Sequence, residues 1–191
     1  MYQPLKDFFD KQHKLTVEQW NMFKEHLSLL ELEKKTILTR EGDIEKSLYF
    51  IAKGSVRKYY LKNGKEYSID FRFENQFVSS YTSLLTQTPS RQYLETLEDS
   101  ILYRIGYNAL MEMLDNSIAG AKLGRINAEE LYIEKERREA SLMLDKPDER
   151  YLNLVRNKKD WLQRIPQHYI ASYLNMTPET LSRVRKRTLK R

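Results

Sequence analysis

The chain contains no cysteine at all. Disulfides, thiolate metal sites, cysteine-ligated iron–sulfur clusters and thiol redox sensing are thereby excluded. Histidine is scarce too. His13, His26 and His168 lie far apart without metal-ligand spacing, so neither zinc nor haem is expected. The six glycines are scattered and form no phosphate-binding loop, and no nucleophile–base pair can be assembled around three separated histidines. These absences argue against an enzyme. No run of about 18 apolar residues is present to cross a bilayer. The opening "MYQPLKDFFDKQHK" is too charged for a secretory signal. A cytoplasmic protein with no membrane partner is expected.

What is present is a hydrophobic content of 40%, enough for real cores, and an uneven distribution of charge. The net charge is +6, yet residues 169–191 alone set six cations (Arg183, Arg185, Lys186, Arg187, Lys190, Arg191) against one carboxylate, Glu179. Nearly all the excess therefore sits in the tail. Such a block suits a polyanion, either nucleic acid or an acidic surface; a solvated helix end whose cations suit the C-terminal dipole is the plainer alternative.

Periodicity divides the chain. Residues 16–30, "TVEQWNMFKEHLSLL", predict one helix, with Thr16 and Gln19 as a capping box and Trp20, Phe23, Leu27 and Leu30 at helical spacing. From Thr36 to Ile105 the runs "TILT", "SLYFIA", "SVRKYYL", "EYSIDFRF", "QYLETL" and "SILYRI" predict short strands. "NGK" at 63–65 marks a hairpin, because Asn-Gly accepts the positive φ of a type I′ turn. Such spacing suggests a compact antiparallel barrel or sandwich. Its aromatics, Tyr59, Tyr60, Tyr67, Phe71, Phe73, Tyr81 and Tyr93, could line a pocket or fill the core. From Asn108 to Leu144 the pattern is helical again. Ala119, Leu123, Ile126, Glu130, Ile133, Arg137, Ala140 and Leu144 form a heptad seam with two polar interruptions, which either packs on its own β domain or pairs with a second copy. Gly120 and Gly124 weaken this helix and would let another backbone come close. "DKPDER" at 145–150 ends it, and Pro147 can open a new helix over about 148–157.

The stretch "YIASYLNMTPETLSRVRKR" at 169–187 has the spacing of a helix-turn-helix. Ile170, Ala171 and Leu174 form one inner face. Asn175 can take the left-handed conformation at the stop, and Met176 packs in the turn. Thr177 is an N-cap, Pro178 a first-turn residue, and Leu181 and Val184 the next inner face. The outward face carries Thr177, Glu179, Thr180, Ser182, Arg183, Lys186 and Arg187. In a major groove a first-turn Glu can accept from cytosine N4, and an Arg one turn later can bridge guanine O6 and N7. Alternatively, Glu179 and Arg183 form a surface i,i+4 pair worth about 0.3–0.5 kcal/mol.

Over about residues 16–190 the sequence resembles the Crp/Fnr superfamily of bacterial transcription regulators. The resemblance rests on "REGDIEKSLYFIAKGSVRKYY", with Gly42 and Gly54 at the turns of a cyclic-nucleotide-binding-type β-roll, and on "IPQHYIASYLNMTPETLSRVRK". It implies an α+β fold. An N-terminal antiparallel β-roll (a double-stranded β-helix, cupin-like) with flanking helices would occupy 1–115. A long dimerisation helix would follow over 116–145, and a small all-α helix-turn-helix domain over 146–191. Glu179 and Arg183 fall at the family's base-reading positions. Pro178 stands where the best-known branch often has Arg, so the half-site is expected to differ.

Cyclic-AMP-binding members of the family carry a Glu for the ribose and an Arg-Ser pair for the phosphate. Here the corresponding stretch is "FVSSYTSLLTQTPSRQY", with Ser79 or Ser80 near the Glu and Ser90-Arg91 in reversed order. The possible effector pocket is Ser79, Ser80, Ser90, Arg91 and Tyr93, reshaped for another ligand or none. No cofactor is expected, cyclic nucleotide included. The sequence runs only a few residues past the second helix, so phosphate contacts usually made by a winged hairpin are expected either from Arg185, Lys186, Arg187, Lys190 and Arg191 or to be lost, with weaker or strongly salt-dependent binding. The implied function is a sequence-specific regulator that binds inverted-repeat double-stranded DNA as a homodimer through the 116–145 helix, with RNA polymerase as a candidate further partner. The alternative is a small-molecule sensor or protein-interaction module with a degenerate DNA-binding domain.

Overall fold

The protein is described by a computed structural model that covers residues 2–12 and 15–188. His13, Lys190 and Arg191 lie outside the described residues. The chain divides into two compact units, one of residues 1–61 and 70–128, the other of residues 62–69 and 129–191.

Among the described residues, eight strands build two antiparallel sheets. In chain order they are β1 (Leu27–Leu32), β2 (Ile37–Thr39), β3 (Ser47–Lys53), β4 (Val56–Lys62), β5 (Lys65–Arg72), β6 (Phe77–Val78), β7 (Tyr93–Thr96) and β8 (Ser100–Gly106). One sheet runs β1-β8-β3-β6 and the other β2-β7-β4-β5. Between them lie Tyr49, Ile51, Val56, Val78, Leu94 and Leu102. The outer face of the first sheet is also covered. Leu48, Phe50, Tyr103 and Ile105 pack against Leu5 and Phe9 of helix α1 (Gln3–Gln12), Phe23 of α2 (Val17–Glu25), Leu84 of α3 (Tyr81–Thr86) and Leu110 of α4 (Tyr107–Asn116). Strand β3 is thus buried on both faces, which is why "SLYFIA" is apolar throughout rather than alternating. Burial of a side chain such as Phe50 contributes about 1.5–3 kcal/mol.

The expected helix over 16–30 is corrected. Its start is as read: the Gln19 amide donates to Thr16 Oγ1 at 3.2 Å, and Gln19 Oε1 accepts from the Thr16 amide at 2.9 Å. The helix stops at Glu25, however, and Leu27–Leu32 is strand β1, paired with β8 from Leu27↔Ile105 to Leu32↔Ser100. "LSLLEL" fits either period locally, and a full ladder with a partner 70 or so residues away outweighs propensity. Helix α1 was not foreseen.

The glycine at the turn after β3 is required by space as well as by angle. Gly54 has φ +95°, and a Cβ there would run into the Ser100 side chain. The hairpin residues Asn63 and Gly64 have φ +53° and +74°, as the type I′ reading requires.

The helical pattern from 108 to 144 is broken at Ser117, whose backbone is extended, into α4 and α5 (Ile118–Leu144). The Ser117 hydroxyl accepts from the Gly120 amide at 3.0 Å. Both glycines serve an intrachain approach: a Cβ on Gly120 would strike the Met113 carbonyl oxygen, and one on Gly124 would lie 2.7 Å from Leu114 Cδ2.

The second unit takes up α5 from residue 129, and α5 is followed by α6 (Pro147–Asn157), α7 (Trp161–Arg164), α8 (Gln167–Tyr173) and α9 (Pro178–Thr188). Pro147 occupies the first turn of α6, and Glu149 accepts from the Lys146 amide at 2.7 Å. The core comprises Tyr151, Leu154, Trp161, Ile165, Ile170, Ala171, Leu174, Leu181 and Val184.

Candidate functional site

Two constellations carry polar chemistry. The first is the pair α8 and α9. Asn175 between them has φ +53°, the left-handed stop that its short polar side chain tolerates. Thr177 Oγ1 accepts from the Thr180 amide at 3.2 Å and so caps α9. With Leu181 and Val184 buried, the opposite side of α9 exposes Thr177, Glu179, Ser182, Arg183, Lys186 and Arg187; Thr180 is half-buried. Arg183 donates to Thr180 Oγ1 at 3.3 Å. The Glu179 carboxyl is held below its ordinary value, first by a hydrogen bond with Thr177, then by a backbone bond and the Arg183 charge. An ionised carboxylate therefore stands one turn from the Arg183 guanidinium on an exposed face.

The end of α8 is held by side chains from elsewhere in this unit. Arg138 of α5 donates to the Tyr173 carbonyl at 3.0 Å and lies over the Tyr173 ring at 4.1 Å. Arg150 of α6 donates to the Leu174 carbonyl at 2.9 Å and to the Asp145 carbonyl at 2.7 Å. The last carbonyls of a helix lack intrahelical partners and carry negative partial charge, so two guanidiniums satisfy them well. Sequence reading missed both arginines; nothing local marks an arginine whose acceptor lies 24 or more residues away.

The second constellation is the segment around α3. Ser79, Ser80 and Ser90 are buried, whereas Arg91 is exposed. Ser80 and Ser90 hydroxyls meet at 2.8 Å. Ser90 Oγ also donates to the Gln92 carbonyl and accepts its amide, both at 2.9 Å, and the Ser90 amide donates to the Asp43 carbonyl at 2.7 Å. Ser79 donates to the Ser47 carbonyl at 3.0 Å. Ser83 accepts the Glu45 amide at 2.9 Å and donates to the Thr88 carbonyl at 2.5 Å.

Glu45 was not foreseen. Its buried carboxylate accepts from Thr39 Oγ1 at 2.5 Å and from the amides of Lys46 and Ser47 at 3.0 Å each. Burial nevertheless outweighs these bonds and pushes the carboxyl above its ordinary value.

Tyr93 stands apart from the serines. Val56↔Thr96 and Lys58↔Leu94 face the opposing sheet, so the alternate pairs Arg57↔Glu95 and Tyr59↔Tyr93 face away from it. On that face the fully buried Arg57 bonds Glu95 at 2.6 Å and lies 4.0 Å over the Tyr59 ring, and Tyr59 stacks on Tyr93 at 5.0 Å. Of the proposed pocket, the structure unites Ser80 with Ser90 but leaves Arg91 in solvent and Tyr93 on the other face. No group of His, Asp and Glu suited to a metal occurs among the described residues, and none of their helices is long and apolar enough to cross a membrane.

Comparison with known proteins places the fold. Residues 29–117 match the family model of the cyclic nucleotide-binding domain. No curated protein matches the sequence significantly. Among solved structures, FixK2 of Bradyrhizobium japonicum is similar at a TM-score of 0.74 and 16% identity, covering 86% of this chain and 85% of its own. The c-di-GMP-responsive global regulator CLP of Xanthomonas campestris is similar at 0.67 and 18%, covering 92% of each chain. A Eubacterium rectale protein assigned to transcriptional regulators of the Crp/Fnr family is similar at 0.74 and 16%, covering 96% of this chain and 88% of its own.

Proposed function

We propose that this chain, whose fold is that of the Crp/Fnr regulators, is a sequence-specific DNA-binding transcription regulator that acts as a homodimer and is not controlled by cyclic AMP. The observation that carries the reading is α9: capped by Thr177, anchored by Leu181 and Val184, and exposing Glu179 and Arg183 where a major groove could take them. Glu179 reads a cytosine N4, Arg183 a guanine, and Thr177, Ser182, Lys186 and Arg187 reach phosphates. Thr180 contributes indirectly, since its hydroxyl accepts from Arg183.

Dimerisation through α5 is supported by the apolar residues its C-terminal half leaves in solvent: Ile133 is 42% exposed and Leu144 80%. A twofold pair of reading heads would favour an inverted repeat with half-sites about 34 Å apart. Independence from cyclic AMP is supported by the serines around α3, whose hydroxyls are already bonded to one another or to backbone, and by Arg91, which points to solvent rather than joining them.

Selection from a random duplex library with purified, ligand-free protein tests the whole reading. Enrichment of an inverted repeat is expected. Failure to enrich any sequence, with and without added cyclic nucleotide, would instead favour a sensor or interaction module with a degenerate DNA head.

A further inference from the structure

Arg187 lies on the last turn of α9, among the cations offered to DNA phosphate, yet it is already engaged. Its Nη2 bonds Asp148 Oδ1 at 2.6 Å, and both side chains are open to solvent, 65% and 42% exposed respectively. Asp148 sits in the first turn of α6, beside Glu149, whose carboxylate bonds the Lys146 amide. Asp148 is thus an exposed carboxylate held within one ion-pair length of a cation on the candidate reading helix.

We propose that Asp148 is an intramolecular competitor for DNA phosphate at Arg187, lowering affinity and flattening its salt dependence; the inference rests on the DNA-binding reading. An exposed pair of this kind is weak, so DNA phosphate can take Arg187 from Asp148. The exchange has an ionic consequence. When Arg187 leaves Asp148 for a phosphate, a cation is released from DNA, and part of that release is offset as cations gather at the abandoned carboxylate. The net release from that contact is therefore smaller than the roughly 0.9 that an unpaired cation at the same place would add to the slope of log affinity against log salt. Arg183, by contrast, donates to the Thr180 hydroxyl, and no carboxylate bonds its guanidinium among the described residues.

The test compares the full chain with Asp148→Asn, Arg187→Ala and the double variant, measuring binding to a random-sequence duplex across a salt series, with circular dichroism to confirm the fold. Asp148→Asn is expected to bind several-fold more tightly at low salt, with a steeper slope, by at most about 0.9. The double variant is expected to lose that gain. An unchanged slope in Asp148→Asn overturns the inference. So does a gain that persists without Arg187, because it would then be general relief of repulsion. If none of the four proteins binds duplex DNA, the DNA-binding reading itself falls and takes this inference with it, an outcome distinct from binding with equal slopes.

Discussion

The hydroxyls of Ser80 and Ser90 lie 2.8 Å apart in a buried segment, ten residues from each other in sequence. Each is satisfied inside the fold, and Ser90 additionally closes on the backbone of Gln92 through both its donor and its acceptor. A phosphate introduced here would have to break these bonds before gaining any.

The two serines are therefore expected to differ in cost. Ser80→Ala removes one hydrogen bond and should destabilise by about 1 kcal/mol, whereas Ser90→Ala also orphans the Gln92 amide and should cost about 2–3 kcal/mol. Urea unfolding measures both. Equal costs, or a larger one for Ser80, would contradict the network as described.

Arg57 and Glu95 make a second unequal set. The pair is buried and bonded at 2.6 Å. Glu95→Ala leaves a buried guanidinium without this partner and should cost about 3–5 kcal/mol, while the double Arg57→Leu, Glu95→Leu variant should regain most of it. A double variant no more stable than Glu95→Ala refutes the argument from desolvation.

Glu45 gives a pH dependence whose sign is fixed by its cause. Burial raises its folded pKa above the unfolded value, so the native state holds its proton more tightly. The stabilisation is complete below the unfolded value, about 4.3, and is lost as pH rises through the raised one. The stability of the wild type relative to Glu45→Gln should fall as pH climbs from 4 through this window. A difference that is flat, or that grows with pH, counts against it.

Arg183→Ala should leave the fold intact, since the side chain is exposed, but reduce discrimination between a selected site and a scrambled one by about 1–3 kcal/mol, roughly five- to 150-fold. Lys186→Ala should instead weaken binding to all sequences alike. Competition binding against both duplexes separates the two; unchanged discrimination in Arg183→Ala removes it from the reading role.

What could be read from the sequence was whatever is decided locally. The capping of α2 by Thr16, the Asn63-Gly64 turn, the break before Pro147 and the α8–α9 turn at Asn175 all rest on residues within a few positions of each other. Strand β1 was misread because its fate depends on β8, and α1 was missed because Leu5 and Phe9 gain nothing until the sheet they cover exists. The orientation of Ser90, Arg91 and Tyr93 was equally hidden. A strand shows one face or the other according to register, and register is settled by partners such as Arg57 and Tyr59.

The grip of Arg138 and Arg150 on the Tyr173 and Leu174 carbonyls bears on how portable the reading head is. Residues 166–188 look like a self-contained cassette, with their own cap, stop and inner faces. Grafted onto a foreign scaffold, they would carry the outward chemistry of α9 with them. The two guanidiniums would stay behind, the last carbonyls of α8 would turn to water, and the angle between the helices would become a property of the new host.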